Sequence, residues 1–216
     1  TAIGAGHDYG QSVAMQPDLR IVVAGISFNG TDNDFAVVRY NTDGTLDNSF
    51  STDGIVTTDI GTDAGHARSV AIQPDGRIVV AGTSFNGDEG DITVVRYNTD
   101  GTLDNSFSAD GIVITPIGTP YDSGQSVAMQ PDGRIVVAGT SFNGIDDDIA
   151  VVRYNMDGTV DNSFSADGIV TTNIGTHHDY GNSVVMQPDG QIVVAGTSFK
   201  GTGADLGLVR DTLDRT

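Results

Sequence analysis

The chain has 216 residues, of which 38% are apolar and 18% charged, enough apolar material for an ordered core and too little charge for a disordered chain. Its 29 acidic against 10 basic residues leave a formal net charge of −19, a field that attracts cations and makes nucleic acid and anionic lipid poor partners. There is no cysteine to form a disulfide, a thiolate ligand or a nucleophile, and no run of about 18 apolar residues to insert into a membrane.

In chain order, the first element is a fragment. Residues 1–11 (TAIGAGHDYGQ) read as the tail of a preceding unit, because Thr1, Ile3, Gly4, His7 and Tyr9 recur three repeat lengths later as Thr172, Ile174, Gly175, His178 and Tyr180. From Ser12 the chain repeats every 57 residues, in units 12–68, 69–125, 126–182 and a truncated 183–216. Within the first unit, Ser12–Gln16 is a short strand and Pro17-Asp18 opens a turn into a second strand, Arg20–Gly25. In later copies the turn is Pro-Asp-Gly, where proline presets φ and glycine accepts a positive one, so the strands pair as a hairpin. A turn at Ser27–Gly30 and an acidic loop, Thr31–Asp34, lead to a third strand, Phe35–Tyr40. The long connection 41–54 precedes a fourth, Ile55–Ile60, and the loop 62–68 reaches the next unit. The apolar run Ile78–Ala81, with its copies Ile21–Ala24, Ile135–Ala138 and Ile192–Ala195, lacks strict alternation and is expected to be covered on both faces.

A repeated four-stranded antiparallel meander predicts an all-β fold, a β-propeller with one blade per repeat. A solenoid of parallel coils would not contain the hairpin turns. The fourth unit lacks the positions equivalent to Val160–Thr171, so the blades are expected either to close imperfectly or to belong to a larger ring or a two-chain assembly, through self-association or continuation of the chain.

The segments VVRYNxDGTLDNSFSxDGIV and SVAxQPDGRIVVAG resemble the delta-60 repeat, a bacterial β-propeller repeat of unknown function found mainly in large secreted or surface proteins. The resemblance covers the whole chain. It implies an extracellular or cell-surface setting and no established activity. Departures are Leu19 in the first Pro-Asp-Gly turn, Gln191 for Arg, Lys200 for Asn, and Asp211-Thr212-Leu213 for Tyr-Asn-Thr or Tyr-Asn-Met.

Two charged series recur in every unit. Arg39, Arg96, Arg153 and Arg210 sit inside apolar strands and read as structural, with Asp47, Asp104 and Asp161 as partners. Asp34, Asp91, Asp148 and Asp205 lie five residues before the arginines, on the opposite strand face, and need another explanation. Further carboxylates surround them: Asp32, Asp88, Glu89, Asp146 and Asp147. These are either solvated turn caps or, with Asp34, Asp91, Asp148 and Asp205 as ligands, a calcium site of hard oxygen donors. The NTDG and SADG segments lack the spacing of an EF-hand loop.

The histidines, His7, His66, His177 and His178, fall before the first strand of a unit, with Asp179 and Tyr180 beside the last pair. Propeller topology places these loops and the acidic loops on one face, the candidate ligand face. No serine elbow is present, and near-identity of the units argues against a single active centre. The expectation is therefore a non-enzymatic scaffold or interaction module binding a protein or glycan. A multivalent lectin and a metal-assisted hydrolase or lyase are the alternatives.

Overall fold

The computed structural model describes residues 1–201 and 203–211; the end of the fourth repeat, with Asp214 and Thr216, lies outside the described residues. Every named element is a strand. Blade 1 is β1 (Asp8–Met15), β2 (Ile21–Phe28), β3 (Asn33–Tyr40) and β4 (Ile55–Thr58). Blade 2 is β5 (Gly65–Ile72), β6 (Ile78–Asn86), β7 (Glu89–Tyr97) and β8 (Ile112–Thr115). Blade 3 is β9 (Asp122–Met129), β10 (Ile135–Phe142), β11 (Asp147–Tyr154) and β12 (Ile169–Thr172). Blade 4 contributes β13 (Asp179–Met186), β14 (Ile192–Lys200) and β15 (Gly203–Asp211). Strands pair antiparallel in sequence order within each sheet, four to a sheet in blades 1–3 and three among the described residues of blade 4. The predicted β-propeller blades are thus present, one per repeat.

The Pro-Asp-Gly turns fold as read. The amide of Gly76 donates to Gln73 O at 2.9 Å, with Gly76 at φ 87°. Leu19 occupies the same left-handed position at φ 67°, a conformation costing a β-carbon-bearing residue about 1 kcal/mol.

Several strand boundaries differ from the sequence reading; the second strand runs on from Gly25 to Phe28, so Ser27 and Phe28 belong to it and not to the turn. The first strand of each blade begins four residues earlier, at Asp8, Gly65, Asp122 and Asp179, because a bulge after Gly10, Ala67 and Gly181 lets pairing resume beyond the irregularity. His66 and Tyr180 therefore stand on strands. The fourth strand is shorter than expected and ends at Thr58. Asp34, Asp91, Asp148 and Asp205 likewise lie at the start of the third strands, opposite Ser27, Ser84, Ser141 and Ser198, and not in loops.

The core consists of the layers between blades. Blade 1 contributes Val22, Ala24, Phe35 and Val37 to the first layer, and blade 2 contributes Val70, Ile78, Val80 and Tyr97. The same positions build the layer between blades 2 and 3 and, except that of Tyr97, which is Asp211 in blade 4, the layer between blades 3 and 4. Ile78–Ala81 and Ile135–Ala138 are fully buried, because each inner blade is covered on both sides. In the end blades burial alternates: Val22 and Ala24 are buried while Ile21 and Val23 are half-buried, and Ile192 and Val194 are buried while Val193 and Ala195 are half-buried. Period-2 alternation reports one neighbouring sheet where the inner blades have two.

Candidate functional site

The predicted arginine–aspartate pairing forms in each complete blade, and it is a structural lock. Arg39 Nε donates to Asp47 Oδ2 at 2.7 Å, Arg96 Nε to Asp104 Oδ2 at 2.7 Å, and Arg153 Nε to Asp161 Oδ2 at 2.8 Å, all six residues buried. The guanidinium carbon of Arg39 lies 4.6 Å from the ring centroid of Phe50, which repeats at Phe107 and Phe164. The remaining donors cross between blades: Arg39 Nη1 donates to Thr99 O of blade 2, and Arg96 Nη1 to Met156 O of blade 3. A second series, which sequence reading left unassigned, adds to the same carboxylates. Arg20, Arg77 and Arg134, at the hairpin ends, place Nε 3.1, 2.9 and 2.9 Å from Asp47, Asp104 and Asp161. Their constant place after the Pro-Asp-Gly turn was the available signal. On this side of the molecule a groove of about 420 Å³ runs between blades 1 and 2, lined by Asp18, Arg20, Ser49 and Asp100 among others.

Burial pushes the Asp47, Asp104 and Asp161 carboxyls up, but the hydroxyls and amides of Ser49, Ser106 and Ser163 and the arginines outweigh it, and all three end below the usual value of 3.8. Asp34 and Asp91 shift the other way, raised first by burial and then by neighbouring carboxylates: Asp59 and Asp32 for Asp34, Asp122 and Glu89 for Asp91. The lowered group stabilises the fold above its unfolded value and loses that contribution as pH falls through its folded one. The raised group does the reverse, and its charge costs stability as pH rises from the unfolded value through the folded one. Asp34→Asn is therefore expected to raise the melting temperature at pH 7 and to lose that gain near pH 3. Equal effects at the two pH values would show that the Asp34 charge carries no cost.

On the opposite face the histidine segments and the acidic turns do come together, but junction by junction. His66 of blade 2 sits 3.3 Å, Nε2 to Nδ2, from Asn33 of blade 1, and burial followed by the nearby Arg68 lowers its pKa. His178 Nδ1 of blade 4 lies 2.9 Å from the Asp147 carboxylate of blade 3 and 3.1 Å from its amide. Aromatic rings complete each group. His66 meets Phe85 at 5.1 Å edge to face, and Phe85 meets Tyr121 at 6.1 Å. His178 stacks on Tyr180 at 6.1 Å, and Tyr180 meets Phe199 at 6.0 Å. Burial, and then the Asp147 carboxylate it faces, raise the Tyr180 pKa. His7 pairs with Tyr9 at 6.2 Å on blade 1, while His177 is exposed and joins no such group.

The other candidates have separate places. Asp179 is fully buried and accepts the amides of Ile174 and Gly175 at 2.6 and 3.1 Å, so it caps the incoming segment. Asp34 and Asp148 accept the side-chain amides of Asn29 and Asn143 at 3.1 and 2.9 Å, and the same amides hold Asp32 and Asp146 at 2.7 Å. In blade 2 the turn shortens to Gly87-Asp88, leaving Asp88 and Glu89 exposed. Asp34, Asp91, Asp148 and Asp205 stay on their own blades, and among the described residues no three Asp, Glu or His side chains gather as a metal ion requires. A cleft of about 380 Å³ opens on this face, lined by Thr119, Ser141, Phe142, Asn143 and Asp148 among others.

Several solved propellers are similar in shape. An ulvan lyase of polysaccharide lyase family 25 superposes with a TM-score of 0.51 at 12% identity, over 92% of this chain and 54% of its own. A gluconolactonase from Xanthomonas campestris gives 0.47 at 14%, over 91% and 57%, and an endo-arabinase from Bacteroides thetaiotaomicron 0.48 at 10%, over 98% and 78%. The chain thus spans little more than half of the first two. The likeness to the ulvan lyase carries the fold and no activity, yet it corrects the expectation of a non-enzymatic chain. A propeller of this shape serves as a polysaccharide lyase, so the repetitive blade architecture gives no ground for excluding catalysis. No curated protein matches the chain significantly. The model of a β-propeller domain of unknown function, DUF5122, matches four times, at residues 16–50, 73–107, 130–164 and 187–213, one match per blade, and the chain belongs to that family.

Proposed function

We propose that the face carrying the histidine segments and the second-to-third strand turns is a multivalent glycan-binding surface, working outside the cell or on its surface. The observation that carries this reading is the recurring set of aromatic rings, histidine and a carboxylate or amide at the blade junctions, His66–Phe85–Tyr121 beside Asn33 and His178–Tyr180–Phe199 beside Asp147. A sugar ring has an apolar face and a rim of hydroxyls; aromatic side chains take the first, carboxylates and amides the second. The two junction groups differ in arrangement, since His66 stands at the repeat position of Tyr180 and Tyr121 at that of His178, but both offer weak sites of the same chemistry, which together gain avidity on a repeating polymer. The net charge of −19 favours neutral or amino sugars over polyuronates.

The test is a glycan array with neutral, amino and acidic polymers, followed by titration of the best ligand. Tyr180→Ala and Tyr121→Ala are each expected to weaken binding about tenfold, the scale of one lost aromatic contact. Retention of a protein partner with no glycan bound would move the reading to a protein-binding face. Glycan binding untouched by both substitutions would place the site elsewhere.

A further inference from the structure

Among the described residues the two ends of the blade array are left uncovered, and each is the complement of the other. On the leading side of blades 2, 3 and 4, Val70, Val127 and Val184 are buried against the blade before; their counterpart in blade 1, Val13, is 66% exposed, and Met15 beside it 62%. On the trailing side, Phe35, Ile92 and Ile149 are each 0% exposed beneath the blade after, whereas Leu206 at the same position of blade 4 is 90% exposed. Leu208 is 68% exposed where Val37, Val94 and Val151 are buried. Apolar side chains have thus been kept at both ends on faces that water reaches.

Three internal junctions show what fits these faces. At each of two, the isoleucine of the preceding blade lies against a glycine of the next blade's first strand: a β-carbon at Gly124 would be 3.4 Å from Ile92 Cγ2, and one at Gly181 would be 3.2 Å from Ile149 Cγ2. Gly10 is the same position in blade 1, and there a cavity of about 190 Å³ remains, lined by Gly10, Val23, Gly25, Val38 and Tyr40 among others. Its rim is already built as at an internal junction. Thr1 Oγ1 meets the Tyr40 hydroxyl at 2.6 Å, as Thr58 meets Tyr97 and Thr115 meets Tyr154 at 2.7 Å. A polar series points the same way. Ser12, Ser69 and Ser126 accept the amides of Val70, Val127 and Val184 of the following blade at 3.2, 3.1 and 3.1 Å. Ser183 and the amide of Val13 are the remaining acceptor and donor of that series.

We infer that a second copy of this chain docks head to tail on the first, with Leu206 and Leu208 of blade 4 packing on Val13 and Met15 of the other copy's blade 1 and Leu206 entering the cavity beside Gly10. The occupant is a second copy because the face that fits each end is carried by the chain itself, and such a heterologous contact closes if the rotation allows. Two arrays of four blades make eight, within the usual range of four to eight per ring, whereas three would exceed it. Each copy carries a charge of −19, so association strengthens as salt screens the repulsion.

Sedimentation equilibrium of the 216-residue chain is expected to give twice 22.4 kDa. Val13→Asp and the pair Leu206→Asp with Leu208→Asp, all at exposed positions, should each weaken association about a hundredfold or more. Mixing the two variants should restore a heterodimer through the one intact junction. Because these 216 residues include no cysteine, Val13→Cys with Ser183→Cys gives a clean second measurement, a covalent dimer on oxidation. A monomeric parent chain, a disulfide formed within one chain, or a dimer surviving both aspartate variants would each overturn the inference.

Discussion

Asp104→Ala is expected to destabilise the chain by about 3–5 kcal/mol, the range for removing one partner of a buried ion pair. Asp104 is 4% exposed and accepts Arg96 Nε at 2.7 Å while Arg77 Nε stands 2.9 Å away. Its other oxygen takes the Ser106 hydroxyl and amide at 2.7 and 3.0 Å. Truncation leaves the Arg96 guanidinium, itself 4% exposed, without its counter-charge above the Phe107 ring. The loss also reaches the next blade, because Arg96 holds Met156 O there. Urea denaturation measures it directly. Replacing both members, Arg96→Met with Asp104→Leu, should cost less than Asp104→Ala alone, since no unpaired charge remains. If the single substitution costs under about 1 kcal/mol, the range of an exposed pair, the lock does not hold the blades together.

Gly139→Ala is expected to cost about 3 kcal/mol, at the upper end of ordinary overpacking, or to prevent folding. A β-carbon at Gly139 would stand 1.8 Å from Ser123 O and 2.9 Å from its carbonyl carbon. Both are backbone atoms of the paired strand, beside the irregularity where β9 and β10 change register, so no side-chain rotation relieves the clash. A β-carbon at Gly25, Gly82 or Gly196 would meet the equivalent carbonyl, of Tyr9, His66 or Tyr180, at 1.9, 2.1 and 1.9 Å, which makes the pinch a property of every blade. Gly144→Ala, where the added carbon meets nothing within 4 Å but φ is 98°, supplies the control at about 1 kcal/mol. Thermal melts of the two variants that coincide would refute the steric argument.

The sequence by itself determined the blade. The apolar runs at Ile78–Ala81 and its copies, the Pro-Asp-Gly turns and the Arg96–Asp104 pairing are encoded within single units, so a period of 57 residues is enough to read them. The kinship of Thr1 with Thr172 was also legible there, although the contact of Thr1 with Tyr40, which repeats that of Thr58 with Tyr97, came only from the structure. Only the tertiary structure decided what depends on a neighbouring blade. It moved His66 and Tyr180 from loops onto strands, because a bulge does not interrupt pairing although it disturbs periodicity. It turned Asp179 from a ligand candidate into a buried cap, and it spread the Asp34 series over separate junctions, since residues equivalent in sequence are carried apart by the rotation between blades. Above all, Leu206 and Ile149 occupy the same repeat position, yet one is 90% exposed and the other fully buried. Burial between stacked sheets belongs to the pair of blades, and no single repeat carries that information.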